Sequence, residues 1–218
     1  MLNPKYDAIL FDKDGTIFDS ERMAFNAWMD TAKTFGVAFS LDIYKTFIGV
    51  PTPECFNRAQ RLFGEAFPMD SFIAEYRHCM SVSKQQGVPI KKGFIDFFET
   101  LKAANIPVGV VTSSSYAAAM DSFQHTELLP DLDVLVTLDD VVNPKPAPDC
   151  YLLACQKLSV LPERVLVFED SSVGIKASLA AGCQTVAIPD LADIEPELLT
   201  GCHYTLGSFD EAHFVFKS

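Results

Sequence analysis

Two aspartates two residues apart, Asp12 and Asp14, open the part of the sequence that could carry chemistry. They follow a short apolar run, 6–11, and Gly15 comes directly after them. The run predicts a buried strand, and residues two apart on a strand point to the same side, so both carboxylates can face one cavity. Neighbouring carboxylates stay ionised only beside a cation or with a shared proton. The pair therefore indicates metal binding, acid–base chemistry or both, and a solvated Asp-x-Asp-Gly turn is the alternative.

Further candidate groups follow later apolar runs. Four hydroxyl residues, 112–115, lead into a helical pattern, where hydroxyls and backbone N–H groups can hold phosphate oxygens. Lys145 stands between two prolines that fix the local backbone and aim its ammonium group. Glu169 and Asp170 add carboxylate oxygens, which together with the first pair suit Mg²⁺. Taken singly, the serines and the acidic pair could be helix caps, and Lys145 could be a surface lysine.

The apolar patterns that must position these residues change along the chain. From residue 93 onward, strand patterns alternate with helical ones, and the strands are predicted at 106–112, 134–138, 165–168 and 185–188. This alternation predicts a parallel sheet with helices on both faces. Between 19 and 92 the patterns are helical throughout, at 20–36, 41–48, 54–65 and 70–86.

These patterns predict an α/β fold in which a Rossmann-like, doubly wound parallel-sheet core carries an inserted all-α helical domain. The core comprises 1–18 and 93–218, and the insertion comprises 19–92. In such sheets, ligands bind outside the carboxyl ends of the strands, which is where the candidate groups lie. Four strand ends that supply carboxylates, hydroxyls and a lysine to one edge indicate a phosphoryl-transfer site.

Charge and composition limit the kinds of molecule that the protein is expected to bind. The 218 residues include 17 basic and 29 acidic side chains, for a net charge of −12, which disfavours nucleic acid and anionic membranes. No apolar stretch approaches the length of a membrane span, and the six cysteines include no C-x-x-C pair, which indicates reduced thiols. We expect a soluble, cytoplasmic monomer that acts on a small phosphorylated metabolite.

The motifs themselves are similar to those of the haloacid dehalogenase superfamily. Asp-Lys-Asp-Gly-Thr at 12–16 resembles its first motif, Thr112 its second, Lys145 within Lys-Pro-Ala-Pro-Asp its third, and Glu169 with Asp170 its fourth. The chain resembles the phosphohydrolases of the β-phosphoglucomutase and phosphoglycolate phosphatase group, which insert a helical cap after the first strand. The resemblance implies an Mg²⁺-dependent phosphatase that hydrolyses a phosphomonoester through an aspartyl-phosphate.

The resemblance also implies a role for each matching residue. Asp12 would be the nucleophile, and Asp14 the acid and base that protonates the leaving oxygen and later activates water. The implied substrate-binding residues are Gly15, Thr16, Thr112, Ser113 and Lys145. The implied metal ligands are Asp12, Asp14, Glu169 and Asp170, with Glu169 acting directly or through water.

Departures from the family pattern leave alternatives open. Lys13 stands where many capped members have an apolar residue, and its side chain either points opposite the aspartates, bends toward the pocket mouth or pairs with a core carboxylate. A phosphosugar mutase is the alternative activity, but Ala24 and Thr52 replace the histidine and arginine of the mutase cap. A non-catalytic binding module is disfavoured because no member of the set is missing. Candidates for setting specificity in the cap are Arg22, Arg58, Arg61, Arg77 and Lys84, although we expect most of them to lie on solvated helix faces.

Overall fold

The computed structural model describes residues 5–48, 50 and 52–216, with side chains described as far as 214. The chain divides into two compact units, one formed by the residues up to Asp19 with those from Pro89 onward, and the other by Ser20–Val88. We call them the core unit and the helical unit. The assignment of separate catalytic and cap roles to 1–18 with 93–218 and to 19–92 stays a prediction.

Parallel strands form one sheet in the core unit. Those in the described chain are β1 Ala8–Phe11, β2 Val108–Val111, β3 Val134–Val136, β4 Val165–Glu169, β5 Gln184–Ala187 and β6 Tyr204–Thr205. Their order across the sheet is β3-β2-β1-β4-β5-β6, and every neighbouring pair is parallel. The predicted fold class is therefore confirmed. The two-residue β6 has no counterpart among the sequence predictions, because two exposed residues carry no apolar pattern.

Helices connect these strands. In the core unit they are α5 Phe94–Ala103, α6 Tyr116–Phe123, α7 Asp149–Leu158, α8 Ser172–Ala180 and α9 Pro196–Gly201. Short 3-10 turns lie at Leu129–Asp131, Leu138–Asp140, Pro162–Arg164 and Phe209–Phe216. In the helical unit the helices are α1 Ser20–Thr34, α2 Leu41–Lys45, α3 Thr52–Phe63 and α4 Met69–Gln85.

The central strand β1 is buried on both faces. The ring of Phe11 packs edge-on against Phe94 of α5 with 5.1 Å between centroids, and it also contacts Phe209. Leu10 points to the opposite face, into a cluster that includes Tyr151 of α7. Burial on both faces explains why β1 reads as an unbroken apolar run rather than an alternating one. It also holds the aspartates that follow β1 on a rigid support.

The helical unit has its own core around Trp28 of α1. The indole is nearly fully buried and lies 5.2 Å, centroid to centroid, from both Phe39 and Phe56. Phe72 of α4 packs at 5.4 Å from the same indole. Aromatic side chains bury large apolar areas, so this cluster forms a hydrophobic core within the helical unit.

Two simpler findings complete the fold. None of the helices that the structure describes is both long and apolar enough to cross a bilayer. All six cysteines are unbonded thiols, four of them buried, as expected for reduced side chains.

Gly109 of β2 provides a test of the sheet packing. A Cβ atom at this position would overlap the side chains of Val134 on β3 and Leu10 on β1. Gly109→Ala should therefore lower the free energy of unfolding by about 1–3 kcal/mol, measured by urea titration. Gly207→Ala is the matched control, because its Cβ would meet only the flexible end of the Glu211 side chain. Equal stability of the two variants would contradict the packing described here.

Candidate active site

The ammonium group of Lys145 joins three neighbouring strand ends. Its Nζ donates to Asp12 Oδ1 at 2.7 Å, to Glu169 Oε1 at 2.7 Å and to the carbonyl oxygen of Val111 at 3.1 Å. The side chain is 4% exposed. Burial by itself lowers the pKa of Lys145, but the charges of Asp12 and Glu169 outweigh it and raise this pKa above its ordinary value. The lysine predicted from sequence is therefore a buried cation and not a surface residue.

Asp12 directly follows β1, and its backbone N–H donates to Phe168 of β4 at 2.9 Å. Burial raises the pKa of its carboxyl to about 7, with Lys145 opposing the rise and Glu169 adding to it. An additional cation beside this carboxyl would favour the ionised form and so lower that pKa. Asp12 is therefore an acid whose charge depends on what binds next to it.

Glu169 ends β4 and is fully buried. Besides Lys145, its Oε1 accepts a hydrogen bond from the hydroxyl of Tyr151 at 2.5 Å, and its Oε2 accepts one from Ser171 at 3.2 Å. A Cβ at Gly174 would overlap this carboxylate, so the glycine allows α8 to approach it closely. Because both oxygens already accept hydrogen bonds, Glu169 is better arranged to hold Lys145 than to contact a ligand directly.

Asp12, Glu169 and Asp170 form a buried acidic cluster. One carboxylate oxygen from each lies within 4.8 Å of the others. Burial raises the pKa of Asp170 well above its ordinary value, and the charges of Asp12, Glu169 and Asp190 raise it further. These carboxylates outnumber the single ammonium of Lys145, and hard oxygen donors suit Mg²⁺. The donor set therefore fits the predicted divalent cation.

Two predicted substrate-binding residues lie against Asp170. Gly15 has a φ of +82°, and a Cβ there would overlap the Asp170 carboxylate. Thr16 is fully buried, and its hydroxyl donates to Asp170 Oδ1 at 3.4 Å. In this structure Gly15 leaves room for the Asp170 carboxylate, and Thr16 donates a hydrogen bond to it. The contact of both residues with substrate stays a prediction.

Asp14 is held through both carboxylate oxygens. Its Oδ1 accepts from the ammonium of Lys13 at 2.8 Å, and its Oδ2 accepts from the hydroxyl of Ser114 at 2.9 Å. The side chain of Asp14 is 40% exposed, in contrast to the buried acidic cluster. A partly exposed carboxyl can exchange a proton with substrate or water, so the geometry is compatible with the predicted acid and base role.

Lys13 pairs with a carboxylate, but the partner is its own neighbour. The side chain of Lys13 is almost completely buried, and its ammonium group also donates to Ser122 of α6 at 3.0 Å. The strand ends at Phe11, and the carbonyl of Lys13 accepts hydrogen bonds from Ile17 and Phe18, which makes a turn. Strand alternation therefore does not apply at Lys13, and the turn brings its side chain back to Asp14.

The four hydroxyl residues that follow β2, 112–115, have different roles. Thr112 is buried, and its Oγ1 accepts from the backbone N–H of Ser114 at 3.0 Å, whereas Ser113 is exposed. Ser115 caps α6 by accepting from Ala118. Capping, the alternative considered from sequence, therefore holds for Ser115. The predicted phosphoryl contacts of Thr112 and Ser113 stay predictions.

Some residues at this edge were not singled out from sequence. Ser114 belongs to the recognised hydroxyl run, but nothing in the run distinguishes it from its neighbours. Tyr151 lies within the apolar pattern of α7 and carries no separate signal. Asp190 and Lys91, which form an ion pair at 2.6 Å, belong to no motif. Only the folded chain brings these residues to the site.

Lys145→Met tests the charge balance. The variant leaves Asp12 and Glu169 buried without their cation, so the free energy of unfolding of the metal-free protein should fall by about 3–5 kcal/mol. Lys157→Met is the control, because its exposed ammonium lies 3.5 Å from Asp140 and should contribute less than about 1 kcal/mol. Urea unfolding at pH 8 measures both. Similar losses in the two variants would show that the buried network is not the stabilising element.

Comparison with known proteins places the chain in a family. The family described as haloacid dehalogenase-like hydrolase matches residues 9–188. A phosphorylated carbohydrates phosphatase from Thermotoga maritima is 29% identical over 184 residues, covering 83% of each chain. Validoxylamine A 7'-phosphate phosphatase from Streptomyces hygroscopicus subsp. limoneus is 32% identical over 190 residues, covering 87% of this chain and 89% of its own.

A solved structure shows the same architecture. A mutant of CbbY from Rhodobacter sphaeroides, crystallised in a complex with xylulose-(1,5)-bisphosphate, superposes with a TM-score of 0.68 at 27% identity. The match covers 94% of this chain and 96% of CbbY. The family match extends from β1 through β5 and so includes all four motifs recognised in the sequence. The chain belongs to the haloacid dehalogenase-like hydrolase family.

Proposed function

We propose that this protein is an Mg²⁺-dependent phosphatase that removes the phosphoryl group from a phosphorylated sugar or a similar small metabolite. Within its family the chain is a phosphoric monoester hydrolase. The observation that carries the proposal is the contact of the buried Lys145 ammonium with Asp12, next to an acidic cluster that suits a divalent cation. Relatives named for phosphorylated carbohydrates and fructose 1-phosphate support a sugar-like substrate.

Asp12 and Asp170 would hold Mg²⁺, with the backbone carbonyl of Asp14 as the further ligand that the family resemblance implies. When bound, the ion would offset negative charge on the transferring phosphoryl group. Both carboxylate oxygens of Glu169 already accept hydrogen bonds, Oε1 from Lys145 and Tyr151 and Oε2 from Ser171, so we assign Glu169 to positioning Lys145. Thr112 and Lys145 would bind the phosphoryl oxygens.

In the first step a carboxylate oxygen of Asp12 attacks phosphorus, and the bond from phosphorus to the ester oxygen breaks. The leaving oxygen takes a proton from Asp14, which ends as a carboxylate. An aspartate is a weak nucleophile but needs no base to activate it once it is ionised. Because Asp12 and the phosphoryl group are both anionic, the charge of Lys145 stabilises their approach.

In the second step water hydrolyses the aspartyl-phosphate. Asp14 takes a proton from the attacking water, the bond from phosphorus to Asp12 breaks, and inorganic phosphate leaves. Asp12 returns to a carboxylate and Asp14 regains its proton, so the cycle is balanced. Ser114 and Lys13 hold Asp14 in position at a partly exposed point, where such exchange is possible.

The core unit would carry this chemistry, and the helical unit would serve as the cap of the family. A phosphosugar mutase is the alternative activity. The two outcomes separate by product, since a phosphatase releases free phosphate and a mutase converts a hexose phosphate into its isomer without releasing it.

Metal dependence is the first test of the proposal. A panel of sugar and polyol phosphates, assayed for free phosphate, should show release with Mg²⁺ and none after exhaustive chelation. Asp170→Asn should weaken Mg²⁺ binding by more than about tenfold, because it removes a charged oxygen ligand. Glu197→Gln is a control with the same change in charge at an exposed position. Full turnover in the chelated enzyme would contradict the proposal.

Asp12→Asn and Asp14→Asn should both be nearly inactive but should fail at different steps. Asp12→Asn forms no phosphoryl-enzyme, whatever the leaving group. Asp14→Asn lacks the proton donor, so it should lose about 10²–10⁴-fold on an alkyl phosphate and much less on an activated aryl phosphate. Without the base for the second step, covalent phosphate should accumulate on Asp12.

Mass spectrometry of acid-quenched Asp14→Asn protein, after incubation with an aryl phosphate, locates the label. Asp12→Asn, treated identically, is the control and should carry none. A phosphate found on Ser113, Ser114 or a histidine would show that the nucleophile has been assigned wrongly.

A further inference from the structure

Asp190, three residues beyond the end of β5, is a buried acid that belongs to none of the family motifs. Its side chain is 4% exposed, and its Oδ1 accepts a hydrogen bond from Lys91 Nζ at 2.6 Å. Its Oδ2 is buried and accepts no hydrogen bond from any residue that the structure describes. Buried carboxylate oxygens almost always have a partner, because leaving one without a hydrogen bond is costly. The second oxygen of Asp190 therefore requires a donor from outside the described chain.

The position of Asp190 indicates which donor that is. Strands β4 and β5 are adjacent and parallel, with Glu169 opposite Ala187, and the N–H of Ile188 donates to the carbonyl of Glu169 at 2.8 Å. Asp170 and Asp190 thus leave neighbouring strands at the same edge of the sheet. Burial and the charges of Asp12 and Glu169 make the largest contributions to the raised pKa of Asp170. The charge of Asp190 raises this pKa further, so the two carboxyls interact electrostatically.

Lys91 only partly balances the charge of Asp190. Its ammonium also lies 3.7 Å from Asp19 Oδ1, so one cation faces two carboxylates. Lys91 is fixed by backbone pairing at the point where the chain leaves and re-enters the core unit. The N–H of Lys91 donates to Ile17 at 2.8 Å, and that of Asp19 donates to Pro89 at 2.7 Å. The lysine therefore holds Oδ1 rigidly and leaves Oδ2 to another partner.

We propose that Asp190 is a positioning residue in the outer coordination sphere of the metal site. Its Oδ2 accepts a hydrogen bond from a water molecule bound to the cation that Asp12 and Asp170 hold, while Lys91 fixes its Oδ1. Such outer contacts orient metal ligands and strengthen binding. The inference rests on the proposed function, because it assumes that the acidic cluster binds Mg²⁺.

The contrast between Asp190 and Lys91 separates this role from a purely structural ion pair. Asp190→Asn keeps the size of the side chain but removes its charge, so Mg²⁺ binding should weaken by about tenfold. Lys91→Met removes the cation that partly neutralises the Asp190 carboxylate and that also repels Mg²⁺. Mg²⁺ binding should therefore tighten severalfold. If the pair served only to hold the fold together, both variants would bind Mg²⁺ as tightly as the wild type does, or both would bind it more weakly than the wild type.

Isothermal titration calorimetry of the 218-residue protein with Mg²⁺, without substrate, measures the dissociation constants directly. Glu197→Gln is the control for charge and should match the wild type. An Asp190→Asn dissociation constant within twofold of wild type would overturn the proposal. If that variant does not fold, as judged by circular dichroism, Lys91→Met decides by its sign, since unchanged or weaker binding overturns the inference. A wild-type protein that binds no Mg²⁺ would refute the proposed metal site itself, which is a distinguishable result.

Discussion

The buried ammonium of Lys145 is the contact on which the arrangement of the site depends. It reaches acceptors that follow or end three adjacent strands, β1, β2 and β4, and two of these acceptors are carboxylates. Burying carboxylates such as Asp12 and Glu169 in a protein interior is costly unless a cation accompanies them. Lys145 supplies that cation within hydrogen-bonding distance of both. The strand ends can therefore converge at one point without a large electrostatic penalty.

Close approach of the backbone is the second requirement. Asp170 can lie against the first motif only because Gly15 has no Cβ and adopts a positive φ, and Glu169 can lie against α8 only because Gly174 has none. Both glycines lie beside carboxylates and not in open loops. At Gly15 both the positive φ and the missing Cβ matter, whereas at Gly174 only the missing Cβ matters, and a side chain at either position would displace an acid of the cluster.

The charges also explain how an acidic protein can act on an anionic ester. A net charge of −12 opposes the approach of a phosphate at long range. Salt screens such long-range repulsion over about 8–10 Å, whereas a buried cation is screened much less. In the proposed function, Lys145 and the metal would therefore supply the positive charge that a bound phosphoryl group meets. The pairing of Asp190 with Lys91 extends the same network of acids and lysines to β5.

Apolar periodicity and short motifs are local properties of the chain, so they were enough to predict the α/β fold, the family and the charged residues at the strand ends. They did not determine where Lys13 points, since this depends on β1 ending at Phe11 and on the turn that follows. Sequence reasoning also did not distinguish Ser114 from the neighbouring hydroxyl residues, and it did not single out Tyr151 or Asp190. Ser114 and Asp190 make contacts between segments far apart in the chain, 100 residues for Ser114 with Asp14 and 99 residues for Asp190 with Lys91. Such contacts arise only in the folded molecule, because burial and hydrogen-bond partners depend on the packing of the whole core.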